Sequence, residues 1–321
     1  MRYRNLGNTG IRVSEVGLGT GGQFGARVDK DAVARILASA LDCGINYIDT
    51  ANIYGHGFSE EYLGAALEGH RHQVVLGTKG CQATGPGPND RGASRYNLII
   101  ALEQSLRRLR TDHVDLYQVH LFDASTPLEE TMSTLNDMVR SGKVRYVGAS
   151  QYQAWQVCRC NDIAERYGWE RFVTSQVHYH MLERDAEREW VPFARATGVG
   201  ILPYFPLAAG LLAGRYRKGE DPPPDSRAAA FERTRKYLLR YGSARNYALI
   251  DQLQAFAADR GRALADLAIA WLLSEPAVAC VIAGVSKVEH VVANASAADW
   301  RLSPEELAGI RQLLEAQRSL C

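Results

Sequence analysis

GINYIDTANIYGHG (Gly44–Gly57) opens as a buried strand and then breaks the pattern. Asn46-Tyr47-Ile48 reads as strand, Asp49 follows at once, and Tyr54 stands five residues further on. Polar groups at the end of an apolar strand are expected where parallel strands meet at a common mouth, so the ends of the other strands decide the fold. Short β-type runs recur at Glu15–Thr20, Asn46–Thr50, Val74–Lys79, Val114–His120, Val144–Ser150, Thr174–His178, Val199–Phe205 and Cys280–Ser286. Amphipathic stretches lie between them, among them Asp31–Cys43, Ser94–Leu109, Leu128–Arg140, Ala154–Tyr167 and Leu264–Leu273.

Strict alternation predicts an α/β fold with a parallel sheet, and eight units close naturally into a (β/α)8 TIM barrel. Tyr3–Val13, turning at Gly7-Asn8-Thr9-Gly10, predicts a β-hairpin before the barrel. Thr126-Pro127-Leu128-Glu129 predicts a helix start with a Thr cap, and Ser303-Pro304-Glu305-Glu306 does the same for an extra C-terminal helix. Gly210–Tyr241, with its Pro222-Pro223-Pro224 run and Arg-rich tail, is the one long irregular stretch, and such loops are usually functional. Residues 1–321 read as one domain.

The 321 residues are 46% hydrophobic and 23% charged, the profile of a globular protein with a core large enough to need neither disulfide nor structural metal. The net charge of +1 favours a small-molecule partner over nucleic acid or an acidic membrane. No run approaches a membrane span, and Met1-Arg2-Tyr3-Arg4 lacks a signal core. Cys43, Cys81, Cys158, Cys160, Cys280 and Cys321 show no framework spacing and read as reduced thiols in a cytoplasmic protein.

Gly17-Leu18-Gly19-Thr20-Gly21-Gly22 matches the G-x-G-x-x-G dinucleotide fingerprint, but a Rossmann loop opens directly into a helix, and here Gln23–Val28 intervene. The expected acidic residue would be Asp42, inside a helix. The glycines are better read as allowing close backbone approach to a flat ligand.

Strand two ends at Asp49 with Tyr54 beyond it, strand three at Lys79 and strand four at His120. Each group supplies what another lacks. A free phenol, with a pKa near 10, is a weak acid at neutral pH, and a nearby ammonium favours its ionised form. A carboxylate holds that ammonium in place. Asp49 would therefore anchor Lys79, Lys79 would tune Tyr54, Tyr54 would deliver a proton, and His120 would polarise a carbonyl oxygen. Any one of them alone is more often structural.

GLGT, GINYIDTANIYG, VVLGTK, DLYQVH, GKVRYVGAS, SQVHYHMLER and YFPLAAGLLAGRY occur in order and together resemble the aldo-keto reductase superfamily, nearest its bacterial reductase and potassium-channel β-subunit branch. The resemblance implies a barrel enzyme that reduces an aldehyde, ketone or sugar with NADPH, NADH being the alternative. It implies Asp49, Tyr54, Lys79 and His120 as the catalytic tetrad. It further implies that Gly19, Thr20 and Asp49 lie against the cofactor, that Ser150 and Gln176 hydrogen-bond the nicotinamide carboxamide, and that Tyr204 stacks on the ring. Phe205, Pro206, Leu207, Ala208 and Gly210 would wrap the pyrophosphate, clamped by Arg215 and Arg227. Gly284, Ser286, Lys287, His290 and Asn294 would form the adenosine end. The chain departs from common family residues at Gln151, His180, Phe205 and Ala293. Phe24, Ile53, Phe122 and Trp300 are candidates for the substrate pocket.

Two other readings exist. A cofactor-binding sensor or regulatory subunit would share every motif, since fold does not imply function. A metal-dependent hydrolase is prompted by His178-x-His180 and His70-x-His72, but no further ligand set accompanies either pair, and no metal is expected.

Overall fold

The computed structural model describes residues 1–318. A hairpin of β1 (Tyr3–Asn5) and β2 (Arg12–Ser14) precedes eight parallel strands: β3 (Val16–Gly19), β4 (Tyr47–Asp49), β5 (Val75–Gly80), β6 (Val114–Val119), β7 (Val144–Ser150), β8 (Phe172–His178), β9 (Gly200–Tyr204) and β10 (Val281–Gly284). The order β10-β3-β4-β5-β6-β7-β8-β9 wraps round, and a parallel bridge between Ile201 and Val278 joins the two ends. This is the expected (β/α)8 barrel, with every strand end within two residues of where the sequence suggests.

The hairpin closes the bottom. Leu6 and Val13 are fully buried and pack with Tyr47, Val75, Leu116, Leu202, Cys280 and Ile282 of the barrel interior. Gly7 turns with φ +61°, and a Cβ there would stand 2.0 Å from the Val173 carbonyl oxygen, so only glycine lets the turn seat this deeply. Arg4 ties the hairpin to Glu15 and to the carbonyls of Leu273, Glu275 and Val278.

The outer helices are α1 (Lys30–Asp42), α2 (Phe58–Ala66), α3 (Arg95–Leu109), α4 (Leu128–Arg140), α5 (Ala154–Tyr167), α6 (Trp190–Thr197), α7 (Arg227–Ala230), α8 (Glu232–Tyr241), α9 (Ala244–Ala258), α10 (Leu264–Leu273), α11 (Val288–Ala297) and α12 (Pro304–Arg318). Asp29 caps α1 ten residues after β3, so the glycine run of β3 does not open into a helix. Ser303 and Glu306 form the expected capping box of α12. The box predicted for α4 does not form. Pro127 is its N-cap, and the Thr126 hydroxyl donates instead to Asp123, 2.7 Å away.

Gly210–Tyr241 is less irregular than its composition suggests, since α7 and α8 lie within it. α8 is hard to see in ERTRKYLLRY because its apolar stripe is short, only Tyr237, Leu238 and Tyr241 meeting the core, while charged residues and an exposed Leu239 make up the rest. Among the described residues no helix is long and apolar enough to cross a membrane. The five described cysteines are free, and burial pushes Cys81 and Cys160 up to about 12. Cys321 lies outside the described residues.

Candidate active site

The barrel mouth brings Asp49, Tyr54, Lys79 and His120 together, although they span seventy-two positions of sequence (49 to 120 inclusive). Asp49 ends β4 and Lys79 precedes the last residue of β5, while His120 follows β6 with its N–H donating to the Gly80 carbonyl at 2.8 Å. Tyr54 begins a tight turn, Tyr54–Gly57, in which Gly55, His56 and Gly57 all have positive φ. The Gly21 backbone lies against the phenol, where a Cβ would meet the ring at 3.2 Å.

Lys79 is fully buried and donates to Asp49 Oδ2 at 2.6 Å, to the Thr50 carbonyl at 2.7 Å and to Tyr54 Oη at 3.5 Å. Burial opposes its charge, but Asp49, with Tyr54, outweighs that and holds the ammonium above its ordinary pKa. Asp49 Oδ1 accepts from Gln176 Nε2 at 2.5 Å, Gln118 Nε2 at 3.3 Å and the Tyr47 hydroxyl at 3.5 Å. The carboxylate is thus held by four donors, one of them an ammonium.

The His120 ring meets Tyr54 edge to face at 5.7 Å. Burial, then Lys79 and Arg233, push its pKa far below the ordinary value, so the ring is neutral. His120 Nδ1 is buried without a hydrogen-bond partner, a group that a ligand oxygen or water would satisfy.

Gln118 and Tyr47 were missed by sequence reasoning. On a strand, residues i and i+2 share a face. His120 therefore implies an inward Gln118, and Asp49 implies an inward Tyr47. That signal was present and unused.

Along the mouth, Gly19 pairs with both Asp49 and Gly284, while the Thr20 hydroxyl turns to the Asp49 carbonyl at 3.1 Å. Ser150 and Gln176 are register partners of β7 and β8. The Gln176 amide expected at the nicotinamide donates to Asp49 instead. One face of Tyr204 is stacked on His178, with centroids 4.9 Å apart and planes at 6°. His178 and His180 meet Nε2 to Nε2 at 3.1 Å, and His180 Nδ1 accepts from the Leu182 N–H.

Residues 205–210 coil tightly, with Phe205, Ala208 and Ala209 in left-handed backbone and N–H bonds from Ala208 to Phe205 and from Gly210 to Leu207. Pro206 and Leu207 lie within this coil. Arg227 reaches across to donate to the Gly21 carbonyl at 3.0 Å, and its guanidinium passes within 3.1 Å of where a Cβ on Gly284 would stand. Burial lowers its pKa, and among the described residues no carboxylate pairs with it. Arg215 differs from expectation, because Asp225 already holds it at 2.6 Å. Lys287 is an exposed N-cap of α11, Ser286 lies 3.4 Å from His290 Nδ1, and Asn294 is buried. Of the suggested pocket residues, Phe24 and Trp300 are buried in the core, while Ile53 and Phe122 are half-buried.

The left-handed coil at 205–210, the paired Gly19 and Gly284, and the half-buried Arg227 guanidinium, which no carboxylate among the described residues pairs with, are groups that could hold an extended anion such as a dinucleotide. Among the described residues, no group of three or more His, Cys, Asp or Glu is arranged to hold a metal.

Residues 15–315 match the aldo/keto reductase family. The chain is 38% identical to the uncharacterized oxidoreductase YrpG of Bacillus subtilis, over 96% of this chain and 94% of that protein. It is 35% identical to a probable voltage-gated potassium channel subunit beta of Oryza sativa, over 99% and 98%. It is 33% identical to versiconal hemiacetal acetate reductase of Aspergillus parasiticus, over 96% and 95%. With the match spanning nearly all of a barrel whose mouth gathers these four groups, the chain belongs to the aldo/keto reductase family.

Proposed function

We propose that this protein is a nicotinamide-dependent carbonyl reductase that converts aldehydes or ketones to alcohols, and that residues 1–321 act as one catalytic domain. The reading rests on one observation: the Lys79 ammonium bonds Asp49 on one side and reaches Tyr54 Oη, 3.5 Å away, on the other. NADPH, or NADH as the alternative, would be held by the coil at 205–210, Ser150, Gln176, Tyr204 and Arg227. When bound, it supplies the hydride.

The chain's own residues manage the proton. Tyr54 donates to the carbonyl oxygen as general acid, a role worth roughly 10²–10⁴ in rate. Lys79 offsets negative charge developing on the phenol oxygen, and its own charge is balanced by Asp49. Neutral His120 donates a hydrogen bond to the carbonyl oxygen and orients it. The reverse oxidation uses the same groups. Free thiols at the five described cysteines are in keeping with a reducing cytoplasm.

A second reading, a cofactor-binding regulatory subunit with slow turnover, is favoured by the likeness to a channel subunit beta. Fluorescence titration tests what both readings share. NADPH or NADH should bind to the protein, and Arg227→Leu should weaken that binding about tenfold. Absence of binding by either cofactor refutes both readings.

A further inference from the structure

Gln118 stands in the same layer of the barrel as Lys79. The two are register partners on β6 and β5, and on its other side Gln118 pairs with Gly148 of β7. The side chain is fully buried, and its Nε2 donates to Asp49 Oδ1 at 3.3 Å. Gly148 leaves the room for it, since a Cβ there would meet Gln118 Cγ at 3.2 Å and Thr174 Oγ1 at 2.6 Å.

The other end of the amide is left over. Gln118 Oε1 is buried and has no hydrogen-bond partner among the described residues, and the same holds for Thr174 Oγ1. A buried acceptor without a partner costs stability, and a methionine would fill the same space without one. Local rules of this kind are broken chiefly at functional sites. The orientation of the amide has a simple cause: an ionised carboxylate only accepts, so it must face the N–H end.

Lys79 and Gln118 hold opposite oxygens of Asp49. Lys79 takes Oδ2 at 2.6 Å, while Gln118 shares Oδ1 with Gln176 and, at 3.5 Å, the Tyr47 hydroxyl. Gln176 is the amide expected at the nicotinamide, which leaves Gln118 as the amide with no second task. A donor on Oδ1 stops the carboxylate turning about its Cβ–Cγ bond. It also takes up part of the carboxylate's charge, so that Lys79 is not drawn wholly onto Asp49 and stays 3.5 Å from Tyr54 Oη.

We propose that Gln118 is a positioning residue for the proton transfer, acting on Tyr54 through Asp49 and Lys79 and touching neither carbonyl nor cofactor. The inference rests on the reductase reading and adds a residue to its acid.

The test is stopped-flow hydride transfer from preloaded NADPH to saturating 4-nitrobenzaldehyde, measured across pH in wild type, Gln118→Met and Gln118→Glu. Gln118→Met should bind NADPH as wild type does and transfer hydride about tenfold more slowly, as loss of a hydrogen bond to a charged group predicts. The alkaline limb of its profile should move to higher pH, because a phenol less supported by Lys79 is a weaker acid. Gln118→Glu keeps the shape of the side chain but can donate to Asp49 only when protonated, so its rate should recover towards wild type as the pH falls. In an Asp49→Asn background, Gln118→Met should slow transfer no further, because the group it acts through is gone. A wild-type rate and limb in Gln118→Met, a further loss of the same size in the Asp49→Asn background, or a wild-type profile in Gln118→Glu overturns the proposal while the reductase reading stands. Weakened NADPH binding with unchanged transfer overturns it too. If wild type binds NADPH yet reduces no aldehyde, the reductase reading fails and takes the proposal with it.

Discussion

Asp49 shows how much of this site one residue organises. Its two oxygens take Lys79 on one side and Gln118, Gln176 and Tyr47 on the other, so the carboxylate cannot rotate away without losing several bonds at once. Burial makes such a network stringent, because an unpaired group there has no water to replace its partner. The histidines beside it are held neutral for the same reason. Burial, followed by the charges of Arg240 and Arg233, lowers His178 to about 4, and burial also holds His120 and His180 well below the ordinary value. The sign follows from linkage. Above the unfolded pKa of about 6.5 neither state is protonated. Below it the unfolded chain binds protons that the native state refuses, so stability falls with pH down to about 4 for His178. Urea titrations between pH 7 and 4.5 should therefore show stability dropping, and His178→Phe should remove about one proton's worth of slope, ~1.4 kcal/mol per pH unit. An unchanged slope contradicts the neutral, protonation-resistant imidazole. The tetrad was legible in the sequence because Asp49, Lys79 and His120 interrupt apolar strands. Gln118 was legible only through His120, two residues on and on the same face, because a glutamine inside a strand otherwise looks like a solvated residue.

At the scale of elements, the strands were readable because strands buried on both faces are near-continuous apolar runs, as in Gly200–Tyr204. Helix boundaries depended on local chemistry, and that chemistry had competitors. Thr126 is a sound cap by type, but Asp123 offers its hydroxyl a charged acceptor, and Pro127 takes the cap position. α2 and α3 are joined by a contact that no periodicity reveals. Glu60, fully buried on α2, accepts from Arg108 of α3 at 2.8 Å and from Thr78 of β5 at 2.5 Å. Removing one partner of such a pair strands the other charge in a dry site. Arg108→Met should cost about 3 kcal/mol in urea unfolding, read as a lower midpoint with the slope unchanged. A loss below about 0.5 kcal/mol, the scale of exposed pairs, would mean that Glu60 is solvated in the native state.

The whole molecule separates stability from chemistry at its two ends, as β/α barrels do. Beneath, the hairpin plugs an interior of Leu6, Val13, Leu116, Leu202 and Ile282; above, polar strand ends converge. Gly7 is where that plug is least tolerant. Gly7→Ala must accept a positive φ and a carbonyl at 2.0 Å, so the variant should lose about 2 kcal/mol in thermal or urea unfolding. Wild-type stability in Gly7→Ala would show that the hairpin is not seated against Val173. Protein preloaded with NADPH should be mixed in a stopped-flow instrument with a reactive aldehyde, and the cofactor fluorescence followed through a single turnover. Wild type should oxidise its NADPH rapidly, whereas Tyr54→Phe should bind the cofactor but transfer hydride slower by roughly 10²–10⁴. A Tyr54→Phe protein as fast as wild type would contradict Tyr54 as the acid, and with it the role given to the Asp49–Lys79 pair.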